Sequence, residues 1–410
     1  MRMRGRFGLL VVLCAALGWA RSAAADITTE KSASILVWPK IIADGTRDTV
    51  IQLTNTSNGL VRAHCFYVNA ALTNPDLPPG PLNPPLWIEV DFTVRLTKQQ
   101  PTHWTVSQGR IVNPTDPPCN PENDFCPDAG IDPGHIPPVV PDFVGELKCV
   151  EVDDSGAPVS GNHLLGAATI IGFQEQRGEP NVLQVLNSYS KYSAIGILGD
   201  ENNGDNVLVL GGGQCSGSGA VCQSDDDCGD EGPCAFEYNA CPQTWILNHL
   251  ADGAPNLVLE DTPAETFSSP ATDTELTIVP CTQNFETQIP TTVTLQFLTF
   301  NEFESQFSVS TSVTCWGNFR LGDMGAPAMT FAGQLFPDPQ GTMYLQTRIR
   351  PAAGTPFGVL MVEEEFQAGP LTSSPPFLVV AVTTDAGNLH MEGERSTPDL
   401  ITIPADQLQP

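Results

Sequence analysis

Glu89 and Asp91 stand two residues apart, so in an extended strand both carboxylates leave the same face. Paired carboxylates carry out glycoside hydrolysis, one attacking the sugar or activating water while the other protonates the leaving oxygen. A strand of the form E-x-D-x-(x)-E would complete such a set, but Thr93 and Val94 occupy the places for the third carboxylate. A solvated strand face therefore accounts for Glu89 and Asp91 without catalysis. Trp87 shares that face by alternation, and an indole can stack on a sugar ring. Trp87, Glu89 and Asp91 are thus the candidate glycan contact.

Two turns are rich in oxygen ligands. Asp200, Asn202 and Asp205 lie in one, and Asp225, Asp227 and Asp230 in the other. Carboxylate and amide oxygens at this density suit a hard cation, so calcium is the one cofactor these residues suggest. Neither turn carries the Glu that closes an EF-hand loop, and a solvated acidic loop is the competing account. Other chemistries lack their signatures: the chain has no G-x-S-x-G, no H-E-x-x-H and no C-x-x-C. The histidines fall singly, and His64, alternating with Arg62, reads as exposed. Glu363, Glu364 and Glu365 follow the apolar Val359–Val362 and read as a charged strand end that discourages edge pairing. Asn55-Thr56-Ser57 has the form of a glycosylation sequon, though a strand-end turn explains it.

Arg2, Arg4 and Arg6 precede an apolar run from Phe7 to Ala20, and Ala23-Ala24-Ala25 offers a cleavage site before Asp26. Residues 1–25 read as a secretory signal peptide, too short for a membrane span. Four of the 18 basic residues lie in that leader, which leaves 14 against 47 acids, a net of about −33. Such a charge opposes nucleic acid as a partner, since phosphate binding needs clustered Lys and Arg. No later stretch is apolar for long enough to cross a membrane as a helix. In an exported chain the cysteines read as a disulfide framework with one thiol left over: Cys65, Cys119, Cys126, Cys149, Cys215, Cys222, Cys228, Cys234, Cys281 and Cys315 are the candidates, and Cys241 either pairs elsewhere or supplies the odd thiol.

The elements that would position these groups are strands. Leu86, Ile88, Val90, Phe92, Val94 and Leu96 alternate with polar residues, as do Val293, Leu295 and Phe297, and Leu345 and Ile349. By the same alternation Cys65 and Cys315 point inward, each followed by an outward aromatic, Phe66 and Trp316. Three segments interrupt the pattern. Residues 113–141 are rich in proline and hold Cys119 and Cys126, which reads as a surface loop stapled on itself. Residues 200–241 are acidic, glycine-rich and cysteine-rich, and 242–274 read as a connecting segment. The cuts leave two β-blocks, 26–199 and 275–410. Similar strand runs at their starts suggest a duplication.

Residues 33–70, with Arg47-Asp48-Thr49 opening a strand that ends in Asn55-Thr56-Ser57-Asn58, resemble the first hairpin of immunoglobulin-like, periplasmic-chaperone-like sandwich domains of exported bacterial proteins. The resemblance implies a fold, and no chaperone role is carried over. Cys215-x6-Cys222-x5-Cys228-x5-Cys234 is similar to the short acidic Cys-rich repeats of exported proteins of Gram-negative bacteria, which implies a surface module; four cysteines so closely spaced, with few apolar residues between them, predict two bridges. The expected fold is all-β: two immunoglobulin-like antiparallel β-sandwich domains with a disulfide-rich loop insert. The expected role is that of an exported, non-enzymatic structural or adhesive protein with a surface protein or glycan as partner. A carbohydrate-binding module is the alternative, and a secreted glycoside hydrolase the third reading.

Overall fold

The computed structural model describes residues 27–74, 83–120, 126–175 and 183–199, together with shorter stretches between 213 and 402. Its elements are almost wholly antiparallel strands. The first unit holds β1 (Ile27–Thr28), β2 (Ile35–Ala43), β3 (Arg47–Asn55), β4 (Val61–Asn69), β5 (Ile88–Leu96), β6 (Pro101–Thr105), β7 (Phe143–Val152), β8 (Leu164–Glu175), β9 (Leu183–Ser193) and β10 (Ile195–Ile197). They form a six-stranded sheet in the order β1-β10-β2-β7-β4-β5 and a four-stranded sheet in the order β6-β3-β8-β9. Leu36, Trp38, Cys65 and Leu147 of the larger sheet share one core with Ile51, Leu53, Trp104 and Ala168 from the smaller sheet and its turns. Gly166 is required there, because a Cβ would come within 2.3 Å of the Trp38 ring.

β2 and β7 are buried on both faces, and the run Ile-Leu-Val-Trp-Pro-Lys-Ile-Ile-Ala of β2 has no exposed position. The reason lies beyond the first unit. Ile35, Val37, Val150 and Ile197, on the back of the larger sheet, belong to a second core with Trp245, Leu276, Phe297 and Met361. Pro39 and Lys40 form a bulge, with the register against β7 shifting between Trp38 and Ile41. A residue without an N–H fits such a break in the ladder. From the bulge Lys40 reaches Glu275 as a buried ion pair, and the Pro39 carbonyl accepts the Trp316 indole N–H at 2.8 Å. Trp316, expected to face outward, is therefore a contact between the two units.

The second unit comprises β11 (Gly213–Cys215), β12 (Val221–Cys222), β13 (Cys234–Glu237), β14 (Trp245–Leu250), β15 (Ala271–Pro280), β16 (Thr282–Gln283), β17 (Thr292–Asn301), β18 (Gln306–Thr314), β19 (Gly317–Arg320), β20 (Tyr344–Pro351), β21 (Val359–Ala368), β22 (Val382–Asp385), β23 (Asn388–His390) and β24 (Leu400–Thr402). Two five-stranded sheets, β18-β17-β20-β14-β24 and β19-β15-β21-β22-β23, contribute to its core. β14, within the supposed connecting segment, pairs with β20 and buries Trp245 completely. Its short run, Trp-Ile-Leu-Asn-His-Leu, lies between acidic and proline-containing stretches that masked a strand. The cysteine-rich insert forms a small sheet with β16, which follows β15 directly, so the main chain of the insert is tied to the second unit. Glu363–Glu365 do not close a strand: they lie inside β21, whose main chain pairs with both β15 and β22. Strand pairing is a backbone affair and tolerates the run.

Candidate functional site

The back of the larger sheet brings together the residues singled out in the sequence and some that were not. In the β7-β4-β5 ladder, Lys148 lies opposite Phe66 and Phe66 opposite Asp91, while Glu146 lies opposite Val68 and Val68 opposite Glu89. Directly paired residues point to one side of a sheet, so these rows form one surface. Phe92, Val94 and Leu96 of β5 are buried as alternation predicts, but Leu86 and Ile88 are 40% and 57% exposed. β5 is an edge strand, and burial along it begins only at Phe92. Trp87 precedes β5 and has a left-handed backbone, φ 52°. The ring is half-buried, and the Lys148 ammonium stands 5.6 Å from its centroid, a cation–π contact on one ring face. The indole N–H is buried with no hydrogen-bond acceptor among the described residues.

Lys148 lies 2.7 Å from Glu146, and both side chains are almost wholly buried. Burial pushes the Glu146 carboxyl above the usual carboxylate range, against the pull of the Lys148 charge. Sequence reasoning did not find this pair, because alternation marks residues 146 and 148 simply as facing away from the first core. His64 is only partly exposed: its Nε2 lies 2.6 Å from Asp91 Oδ2, and its ring packs 4.4 Å from that of Phe66. Asp91 is thus engaged by a histidine on the neighbouring strand. Only Trp87, Glu89, Asp91 and His64 of this surface keep partial exposure, since Phe66, Glu146 and Lys148 are buried beside them.

The proline-rich loop closes the end of the first core rather than only skirting the surface. The Cys119–Cys126 disulfide staples it, as its cysteines suggested. Ile136 and Val139 are buried in the core, and His135 is buried with its Nδ1 accepting the Val112 N–H at 3.0 Å. That contact leaves His135 Nε2 to donate to Asp116 Oδ2 at 3.0 Å. Prolines have no N–H to satisfy, so such a segment buries apolar groups at little hydrogen-bonding cost. Cys65 pairs with Cys149 across β4 and β7, and the two residues are direct ladder partners. Cys228 is disulfide-bonded, and Cys315 is buried. Asn55 acts as a turn residue: its side-chain amide donates to the carbonyls of Gly59, Leu96 and Thr97.

Of the calcium candidates, Asp230 is exposed in a short turn, while Asp200, Asn202, Asp205, Asp225 and Asp227 lie outside the described residues. Cys241, Cys281 and the leader also lie outside them, and Cys215, Cys222 and Cys234 are placed by their backbones in β11, β12 and β13.

A second surface has no counterpart among the sequence candidates. The outer face of β18, β17 and β20 forms a shallow groove of about 450 Å³ lined by Gln296, Leu298, Ser308, Ser310, Arg348 and Arg350. Gln296 and Leu298 alternate with the buried Leu295, Phe297 and Thr299, so the strand pleat aims them into the groove. Arg348 lies 5.5 Å from the Phe300 ring, and Arg350 Nε donates to Gln296 Oε1 at 3.3 Å.

No protein-family model matches the chain, and no curated protein matches it. Among solved structures, the cryo-EM atomic structure of Broad Bean Stain Virus aligns over 88% of this chain and 98% of the viral chain, at 11% identity and a TM-score of 0.12. A likeness of that size carries no argument about fold or function.

Proposed function

We propose that the protein is an exported structural or adhesive component of the cell surface or extracellular space, built from two immunoglobulin-like sandwiches. The observation that supports adhesion is the groove on β17, β18 and β20, a sheet face rich in hydroxyl and amide groups and carrying two exposed arginines. The leader and the Cys65–Cys149 and Cys119–Cys126 bridges favour an oxidising compartment. Intact-mass measurement and protease shaving of the native host test the reading. A chain beginning near Asp26 and cleaved on intact cells or in the medium is expected, together with retention of purified protein on envelope or matrix material. A cytoplasmic chain that keeps Met1, or one that does not attach, overturns it.

A second reading, carbohydrate binding at Trp87, Glu89 and Asp91, draws on the half-buried Trp87 ring beside the two carboxylates and on the indole N–H that lacks an acceptor among the described residues. Saturable binding on a glycan array, lost in Trp87→Ala, is its expected result. Binding unchanged by that substitution removes it.

A further inference from the structure

Resting on the adhesive reading above, we infer that the β17–β18–β20 groove binds glycans bearing uronic-acid carboxylates, with Arg348 and Arg350 as the carboxylate receptors. The chain has 18 basic residues against 47 acids, so an arginine here has carboxylates in excess to pair with. Among the described residues, Arg348 and Arg350 do not use them. Both are exposed on one face of β20, and among the described residues neither guanidinium forms an ion pair with a carboxylate.

Their partners are neutral and hold them in place. Phe300 lies beneath Arg348, and Gln296 accepts from Arg350, so the donor edges of two planar forks are presented from a fixed strand spacing of about 7 Å. A guanidinium fork matches a carboxylate in bidentate fashion, which an ammonium does not. The surroundings narrow the ligand further. Ser308 and Ser310 of β18 lie opposite Leu298 and Gln296, which in turn lie opposite Arg348 and Arg350 on β20. Each row thus runs hydroxyl, then amide or apolar group, then guanidinium.

Sugar hydroxyls suit Ser and Gln, and the C–H face of a pyranose suits Leu298. A glutamate peptide offers the carboxylates without the ring hydroxyls, and so separates the two features. The mature chain's net of about −33 repels densely charged polyanions such as nucleic acid at long range, although screening confines that repulsion to roughly 8 Å at physiological salt. A uronate carries its carboxylate among neutral hydroxyls on one ring, so the same sugar meets an arginine and the Ser and Gln rows together.

The test is titration calorimetry on the full mature chain with hexamers of galacturonate, glucuronate-containing hyaluronan and alginate. The methyl ester of the galacturonate hexamer and a glutamate hexapeptide serve as controls. At least one uronate hexamer should bind, its affinity falling at least tenfold in R348Q/R350Q and on raising NaCl from 0.05 to 0.5 M. If galacturonate binds, its ester should bind at least tenfold more weakly. R348K/R350K should fall between, because charge persists without the fork. Far-ultraviolet circular dichroism should be unchanged in both variants, whose altered side chains lie at the surface. Silence from all three uronates, equal binding of the ester, insensitivity to R348Q/R350Q, or equal binding of the glutamate peptide each overturns the inference. Attachment to envelope material is read separately: attachment retained without uronate binding refutes the ligand class alone, whereas loss of attachment refutes the adhesive role.

Discussion

Lys40→Met should destabilise the protein by about 3 kcal/mol at pH 7, the low end of the cost of removing one partner from a buried ion pair. The low end applies because Glu275 keeps 11% side-chain exposure and a hydrogen bond to Asn318, whereas Lys40 is 1% exposed. Burial opposes ionisation of Glu275, yet Lys40 and Asn318 outweigh it and hold the carboxyl below its ordinary value of 4.5. The folded-state value is therefore depressed. The stabilisation is complete above the unfolded value and is lost as pH falls through the folded one. In Lys40→Met the carboxyl loses its cation, is pushed upward by burial and takes up a proton more readily, so the penalty should shrink below about pH 4.5. Urea denaturation at pH 4 and pH 7 reads both effects. The double change Lys40→Met and Glu275→Leu should recover most of the loss, giving a coupling energy by double-mutant cycle. Because the pair is buried, the penalty should persist in 0.5 M NaCl. A loss under about 1 kcal/mol at pH 7, or one indifferent to pH, would show that the two units are not held by this contact.

Replacing Cys65 and Cys149 together by alanine opens a bridge spanning 84 residues and should cost about 4.5 kcal/mol by the loop-entropy relation, read from guanidinium unfolding; no loss would show that the bridge does not constrain the unfolded chain. Gly166→Ala should destabilise by about 1–3 kcal/mol, since the Trp38 ring blocks the added methyl, and an unchanged melting temperature would refute that packing. Glu146 titrates above its ordinary value when folded, so its favourable contribution belongs to low pH and declines as pH rises through 4.5 and beyond; Glu146→Gln should flatten that decline in urea midpoints measured from pH 4 to 7.

Alternation along single strands foretold much of the local structure. Val293, Leu295 and Phe297 are buried in β17, Phe92, Val94 and Leu96 in β5, and Cys65 points inward. A period of two is a property of the chain itself, because successive side chains leave opposite faces of a pleat. The cysteines and prolines of 113–141 likewise announced a stapled loop.

What lies across each face was decided elsewhere in the chain. Alternation alone does not reveal that the back of β2 and β7 packs into the core of a second unit. It equally leaves open that Glu146 and Lys148 are buried beside Trp87, or that Cys149 is the partner of Cys65. Leu86 and Ile88 show the converse, apolar residues in the right phase that no described strand covers. Arg348 and Arg350 read as ordinary outward positions until β17 and β18 supply the rows that make them one wall of a groove. Periodicity tells which way a side chain points, while burial and ion pairing depend on which distant strand meets it there.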